Sequence, residues 1–227
     1  MARPRHLKPG TRRRTALLSG TAFIIAFALI ATAYGAFREH SRGTASGGLP
    51  VPEASGTPVP DFTFGLTGVQ PIATGAKRDA VAAAHSAALH IEQTLDTLYL
   101  TGFLDPNTWV TGRYGGAWQL FTPDAVRTAR TDDATLTLGP DAGRMYSAVR
   151  PHAGQLQVRV LMDRLGHPST AVAVVSFSAR ALRKDGARGV IRSAGHYFLR
   201  PSSHGWLIYG YDVNRDDAVL SATGATS

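Results

Sequence analysis

The spacing of hydrophobic and polar residues divides this chain into an uncharged apolar run, a polar spacer and one domain-sized region. Residues 15–37 contain no charged residue, and Arg14 and Arg38 flank them. About twenty apolar residues in a helix rising ~1.5 Å each are enough to cross the hydrocarbon layer of a membrane. The pattern therefore predicts a transmembrane helix or a signal sequence over residues 15–37, preceded by a basic tail at residues 1–14.

The spacer follows this apolar run. Residues 38–76 are rich in Gly, Ser, Thr and Pro, and almost no large apolar residue precedes Phe62. Such a composition cannot offset the loss of chain entropy by burial, and it favours an extended linker. We expect one folded domain over residues 77–217, with Phe62 and Phe64 beginning to pack against it. The small and polar residues 218–227 are expected to form a flexible tail.

Apolar residues at helical spacing predict one long helix in the domain. Within residues 78–100, six of them recur at intervals of three and four, so they lie on one side of a helix. Asp79 suits the positive end of the helix dipole, and Gly102 is placed to end the helix. A second, short helix is predicted over residues 123–131, because Pro123 suits a first helical position. The predicted apolar stripe of the long helix consists of Val81, Ala84, Ala88, Ile91, Leu95 and Leu98.

From residue 134 onward, the hydrophobic period changes to two, which is typical of β-strands. Turn residues such as Asp185-Gly186 separate the alternating runs, so consecutive strands should pair as an antiparallel meander. We therefore predict an α+β domain in which the long and the short helix pack on a curved antiparallel sheet, preceded by one transmembrane helix. The predicted strands span residues 134–138, 144–149, 155–163, 171–182, 190–200 and 206–213.

The charges near the N-terminus predict the orientation of the apolar segment. Residues 1–14 hold six of the 24 Lys and Arg residues and no acidic residue. Basic flanks stay in the cytoplasm, so we expect a single-pass protein of the cell membrane with its C-terminal domain outside the cytoplasm. Ala31-Thr32-Ala33 offers a small-x-small cleavage site, which leaves open a secreted protein cleaved near Ala33.

The remaining composition excludes several classes of site. Outside the basic tail, 18 basic and 16 acidic residues are scattered along the chain, so no nucleic-acid surface is predicted. The absence of cysteine removes disulfides, thiol nucleophiles and zinc–thiolate sites. The histidines form no HExxH pattern, and the glycines around Gly112–Gly116 lack the Lys-Ser/Thr of a phosphate-binding loop. We therefore predict neither a metal site nor a cofactor.

Two stretches carry a resemblance to known proteins. The long helix ends in Tyr99-Leu100-Thr101-Gly102, and the last strand reads Gly205-Trp206-Leu207-Ile208-Tyr209-Gly210-Tyr211-Asp212-Val213. With the helix-then-meander layout, these residues resemble NTF2-like (cystatin-like) cones. More narrowly, the chain is similar to the actinobacterial single-pass envelope proteins called Mce-associated and TcpC-like. The resemblance implies a non-enzymatic accessory module that binds an envelope protein partner or its own copies.

A few polar residues are candidates for chemistry inside such a cone. His85, Glu92 and Asp96 share one side of the long helix, where His85 could serve as a base and Asp96 as its orienting carboxylate. His196 and Tyr197 could present polar tips to a ligand from the fifth predicted strand, each on a different face. The alternative interpretation is that the helix residues form its solvated side and that His196 is a hydrogen-bonded structural residue.

Two function classes follow from these patterns. The first is a non-enzymatic, membrane-anchored module for partner binding or for assembly of an envelope transport or secretion complex. The alternative is a cone-pocket protein, similar to steroid isomerases or polyketide cyclases, that binds or converts a small apolar ligand. A deep apolar cavity with a buried His or Asp would favour the ligand-binding class. A filled cone with an exposed apolar patch would favour partner docking.

Overall fold

The computed structural model describes residues 59–72 and 78–220, which form an α+β unit with one long helix and a curved five-stranded sheet. The major elements are β1 (Gly65–Ile72), α1 (Arg78–Tyr99), β2 (Tyr146–Met162), β3 (Pro168–Arg183), β4 (Arg188–Ser202) and β5 (Gly205–Leu220). Between α1 and β2 lie a π-helical turn (Leu100–Leu104) and the short helices α2 (Pro106–Trp109), α3 (Gly115–Trp118), α4 (Val126–Thr131), α5 (Asp133–Leu136) and α6 (Ala142–Met145).

The strands lie in the sheet in their chain order, from β1 at one edge to β5 at the other. The antiparallel meander predicted from the sequence is confirmed for β2 to β5. The first strand differs, because β1 pairs with β2 in parallel. A parallel pair requires a crossover, and α1 with the short helices supplies it. The arrangement is consistent with an NTF2-like cone.

The strand β1 corrects the predicted domain boundary. Residues 38–76 were expected to be linker, yet Gly65–Ile72 pairs with β2. The expected packing of Phe62 and Phe64 against the domain is confirmed, since both are buried in the core. The sequence conceals this strand because its two glycines and Pro71 carry little hydrophobic alternation, and an edge position tolerates them. At the other end, β5 continues to Leu220, three residues past the predicted limit of the domain.

The helix α1 covers the inner face of the sheet through its small-residue side. Ala84, Ala88, Ile91 and Leu95 are fully buried there, as the spacing predicts. Val81 was predicted to lie on the same side, but 53% of it is exposed. Ala80, one residue earlier, is buried instead. The two residues are ~100° apart around a helix, so only one of them can share the buried side.

Gly102 does not end the long helix, contrary to the sequence prediction. The chain passes from α1 into the π-helical turn, where Gly102 lies opposite the backbone of α5. A Cβ atom on Gly102 would lie 2.9 Å from the carbonyl oxygen of Leu136, so only glycine allows this approach. The helical chain therefore ends at Leu104, where Asp105 caps the next helix by accepting the N–H of Asn107.

Two predicted strands also need correction. Residues 134–138 lie mainly in α5, and the N–H and the Oγ1 of Thr137 both donate to the carbonyl oxygen of Asp133. Five apolar-rich residues cannot distinguish a strand from a helical turn by period alone. The predicted strands 144–149 and 155–163 are parts of the single strand β2, whose β-bulges near Pro151 interrupt the alternation. The short helix predicted over residues 123–131 forms as α4, which begins three residues later.

The membrane prediction falls on residues outside the described part of the chain. Among residues 59–72 and 78–220, no helix is both long and apolar enough to cross a bilayer. Residues 1–14 and 15–37, most of the predicted linker and the last seven residues of the predicted tail lie outside the described residues.

Candidate functional site

The candidate residues on α1 do not point into the interior. His85 is exposed on the outer side of the helix, and Leu89 beside it is 45% exposed. Glu92 and Asp96 are half-buried, and the Oδ1 atom of Asp96 accepts the backbone N–H of Phe64 at 2.8 Å. The structure therefore places Asp96 at the junction between α1 and the segment that leads into β1. No described hydrogen bond links Asp96 to His85.

The environment of Asp96 alters its acidity. Burial is the main cause that raises the pKa of Asp96, and the negative charge of Glu92 raises it further. The N–H of Phe64 acts in the opposite direction, because it stabilises the carboxylate. The resulting pKa of Asp96 is about 6. Burial also raises the pKa of Glu92.

His196 and Tyr197 lie on opposite faces of the sheet, as the alternation of β4 requires. Tyr197 is fully buried on the inner face, and its hydroxyl donates to the hydroxyl of Tyr99 at 3.4 Å. The hydroxyl of Tyr99 is 2.8 Å from the Oγ atom of Ser193. His196 is half-buried on the outer face, where it pairs in register with Val174 of β3.

The three buried hydroxyls form a closed polar group. Burial raises the pKa of Tyr99 to about 12 and that of Tyr197 well above its ordinary value. Both phenols therefore stay protonated near neutral pH, Tyr197 donates to Tyr99, and Tyr99 shares a hydrogen bond with Ser193. They satisfy buried polar atoms, and no histidine or carboxylate is among their hydrogen-bond partners.

Aromatic rings fill the space between α1 and the inner face of the sheet. The rings of Tyr99 and Phe177 have their centroids 4.8 Å apart, and Tyr99 stacks on Phe103 at 5.1 Å. Phe64 packs edge-on against Tyr99 at 5.0 Å, and Phe62 packs edge-on against Phe177 at 5.4 Å. These contacts have the geometry of favourable aromatic pairs, so side chains occupy the place where a cone-pocket protein would hold its ligand.

A second, part-buried network, which the sequence did not reveal, connects β5 with the short helices. The guanidinium of Arg215 donates to the carbonyl oxygens of Ala134 and Thr137 and forms an ion pair with Asp217. Asp217 also accepts the hydroxyl of Tyr146 at 3.0 Å. Only 11% of the Arg215 side chain is exposed, so the network holds a charge beside the aromatic cluster. Arg215 and Asp217 are 71 to 81 positions away from their partners in the helical region and in β2, so no local motif could have indicated these contacts.

An exposed apolar patch lies at the end of the sheet where β1 and β2 finish. Ile72 and Leu161 are in register across these strands and are 46% and 45% exposed. Leu165, in the turn after β2, is 78% exposed. We call Ile72, Leu161 and Leu165 the apolar patch. Exposed apolar clusters of this kind are typical of contact surfaces.

A surface cleft of about 270 Å³ lies at the other end of β2. Leu104, Pro106, Trp109 and Val149 give it an apolar lining, and Asp61 and Arg150 add charged groups. The Nε1 atom of Trp109 is buried and has no hydrogen-bond partner among the described residues. Within that part of the chain, no group of three or more potential metal-ligating side chains comes together.

Comparisons with known proteins add little to this geometry. No family model and no curated relative matches the sequence. Among solved structures, the chain is similar to a protein described as a candidate aromatic ring hydroxylase from Novosphingobium aromaticivorans. The TM-score is 0.36 and the identity 13%, over 64% of this chain and 96% of that one. A similarity this low assigns neither a family nor a function.

Proposed function

We propose that this chain is a single-pass protein of the cell envelope whose extracytoplasmic NTF2-like domain binds a protein partner and catalyses no reaction. In this proposal, residues 15–37 anchor the chain in the membrane and residues 1–14 stay in the cytoplasm. The domain then supports the assembly of an envelope transport or secretion complex, as the resemblance to Mce-associated and TcpC-like proteins implies.

The filled interior is the observation that carries the proposal. Tyr99, Phe103 and Phe177 occupy the space beneath α1, and the buried hydroxyls there are already paired. The polar candidates are also too dispersed to act together, because His85 and His196 lie on opposite outer sides of the domain. General acid–base catalysis requires its groups within hydrogen-bond reach of one substrate atom.

The apolar patch supports partner docking. Ile72, Leu161 and Leu165 expose large apolar side chains beside the edge strand β1, whose outer backbone groups have no strand partner among the described residues. An envelope protein can cover the patch and pair with this edge in one contact, as strand-addition complexes do. We assign the patch to such a partner, and self-association is an outcome that the experiment can detect.

Site-specific photo-crosslinking in intact cells tests this assignment. A photoreactive residue at Leu165 should give an adduct of one defined mass, and one at Val219, which is 59% exposed on β5, should not. Leu161→Asp should abolish the adduct, because it places a charge in the contact, whereas His85→Ala should leave it unchanged. An adduct of twice the monomer mass would indicate self-association. Equal adducts at both positions, or none at Leu165, would contradict the proposal.

Membrane topology needs a separate measurement. A reporter fused after Ser227 should be active only outside the cytoplasm, and gel mobility should show whether the chain is cleaved near Ala33. A reporter active in the cytosol would contradict the proposed location. In that case, any crosslinked adduct at Leu165 would identify a cytoplasmic partner.

The cleft at Trp109 supports one alternative, the binding of a small apolar ligand. Its volume of about 270 Å³ lies just below the range of about 300–1,000 Å³ that is usual for ligand pockets. This cleft lies at the domain surface, so it supports binding more than conversion. Quenching of tryptophan fluorescence by apolar ligands, lost in Leu104→Arg and retained in Leu165→Asp, would favour this alternative.

A further inference from the structure

Basic residues that are far apart in the sequence lie together on one face of the sheet. The helical part of the chain, residues 78–145, holds eight acidic and five basic residues, whereas residues 146–220 hold ten basic and five acidic ones. Alternation along the strands places Arg150, Arg159, Arg180 and Arg192 on the outer face. The nearly balanced charge of the domain therefore hides a basic surface on the side of the sheet opposite α1.

The densest part of this surface is a group that we call the basic cluster, made of Arg150, His152, Arg180 and Arg192. Arg150 and Arg180 face each other in register across β2 and β3, and Arg192 follows on β4 opposite Ser178. Like charges directly opposite each other destabilise a sheet pair. Among the described residues, neither Arg150 nor Arg180 has a carboxylate within 4 Å, and Arg192 has only the cross-strand Asp216, at 3.7 Å.

Two further observations favour an anion as the ligand of the basic cluster. Ser178, which lies between Arg180 and the cross-strand neighbour Arg192, is only 3% exposed, yet its Oγ atom has no hydrogen-bond partner among the described residues. A buried hydroxyl without a partner is unusual and needs an explanation. His152 sits in the β-bulge between Pro151 and Ala153, and burial and the charge of Arg180 together lower its pKa.

We propose that the basic cluster binds a phosphate group. Arg150 and Arg180 lie in register on adjacent strands, and planar guanidinium forks match the oxygens of a tetrahedral anion. The bound anion offsets the repulsion between the two arginines, and Ser178 supplies a hydroxyl next to the site after a rotamer change. The proposal depends on neither the membrane anchor nor the protein partner, so it can fail or succeed independently of the function proposed above.

The test measures the response of His152 to phosphate. The full-length chain, labelled with 13C-histidine in a nonionic detergent, is titrated with inorganic phosphate at constant ionic strength, and His152→Gln identifies the signal. A bound anion stabilises the imidazolium, so the His152 pKa should rise along a saturable curve. The affinity should fall about tenfold in Arg180→Gln and in Arg150→Gln, because each loses a charge-assisted pair of hydrogen bonds.

A matched control separates a built site from diffuse charge. Arg200 is exposed at the far end of β4, so Arg200→Gln removes the same charge without touching the cluster. It should leave the phosphate affinity within about twofold. Without phosphate, Arg180→Gln should raise the His152 pKa, which checks that the guanidinium and the ring are near each other. Thermal unfolding shows whether each variant is folded.

A second arm of the experiment identifies the source of the phosphate group. Micelles doped with phosphatidylglycerol are compared with micelles doped with phosphatidylcholine, in the absence of free phosphate. A His152 response to phosphatidylglycerol alone assigns a lipid headgroup, and a response to inorganic phosphate assigns a soluble ligand. Both results support the proposal. The absence of any saturable response in either arm, or an equal loss of affinity in Arg200→Gln, overturns it.

Discussion

The contact between Asp96 and Phe64 allows a sharp test, because two substitutions of Asp96 should have opposite effects. The carboxylate accepts the backbone N–H of Phe64 at 2.8 Å and so fixes the segment that leads into β1. In Asp96→Ala this N–H loses its partner, and a part-buried donor without a partner costs about 1–3 kcal/mol. In Asp96→Asn the amide oxygen can accept the same N–H, so the anchor is kept.

The acidity of Asp96 sets the size of the second effect. Each pKa unit corresponds to about 1.4 kcal/mol, so a rise from 3.8 to a pKa of about 6 limits the cost of ionising Asp96 to about 3 kcal/mol. Solvent screening of a half-buried group reduces this to about 1 kcal/mol. Because the folded-state pKa is raised, the contribution of Asp96 is fully present below pH 3.8. It is lost as the pH rises through about 6.

The assay is urea unfolding of the full-length chain in a mild detergent, followed by tryptophan fluorescence between pH 4 and pH 8. The wild-type chain should lose about 1 kcal/mol of unfolding free energy relative to Asp96→Asn over this range. Asp96→Ala should be less stable than Asp96→Asn by about 1–2 kcal/mol at every pH. Asp124→Asn changes an exposed aspartate in a turn and should match the wild-type profile.

Two results would refute this reasoning. If Asp96→Asn followed the same pH profile as the wild-type chain, Asp96 would not be the group that titrates with a raised pKa. If Asp96→Ala were as stable as Asp96→Asn, the bond from Phe64 would contribute nothing to the attachment of β1. A loss of partner crosslinking in folded Asp96→Asn would instead show a functional role for the carboxylate.

Two more substitutions probe the interior. Tyr99→Phe should lower the unfolding free energy by about 2 kcal/mol, because it leaves the Ser193 hydroxyl buried without its partner at 2.8 Å. Adding Ser193→Ala to Tyr99→Phe should cost less than the sum of the single changes, and simple additivity in the unfolding curves would contradict the bond. Gly195→Ala should prevent the pairing of β4 with β5, since φ is +152° and the new Cβ would lie 2.1 Å from the carbonyl oxygen of Asp212. A stable, fully folded Gly195→Ala chain in thermal unfolding and circular dichroism would contradict this geometry.

The sequence predicts the elements whose hydrophobic period is long and regular. α1 and the strands β3 to β5 have this property. The structure confirms α1, β3 and β4 within a few residues, and β5 begins as predicted but continues seven residues further, to Leu220. The sequence does not predict β1 or α5 correctly. The strand β1 has too few apolar residues to show a period, and α5 is a single turn. The parallel pairing of β1 was also invisible, because it depends on a crossover of more than seventy residues.

The sequence also predicts only part of the candidate site. Alternation along β4 separates His196 from Tyr197 in the sequence, but only the packing of α1 decides which of them is buried. The Arg215 network joins residues near 135 to residues near 215, so its members carry no shared local pattern. The packing of Phe62 and Phe64 against the domain was predicted and is confirmed, but their contacts with Phe177 and Tyr99 join distant parts of the chain and have no local pattern.

The packing of the interior explains why function belongs on the surface of this domain. Removing a buried aromatic side chain such as Phe177 costs about 3–5 kcal/mol, a large part of the 5–15 kcal/mol that stabilises a typical domain. A ligand that displaced this ring would have to offset that cost before it gained any affinity. The apolar patch and the basic cluster require no such rearrangement. Leu161 and Arg150 are also eleven positions apart on β2, roughly 35 Å at ~3.3 Å per residue, so a protein at one and a phosphate at the other do not exclude each other.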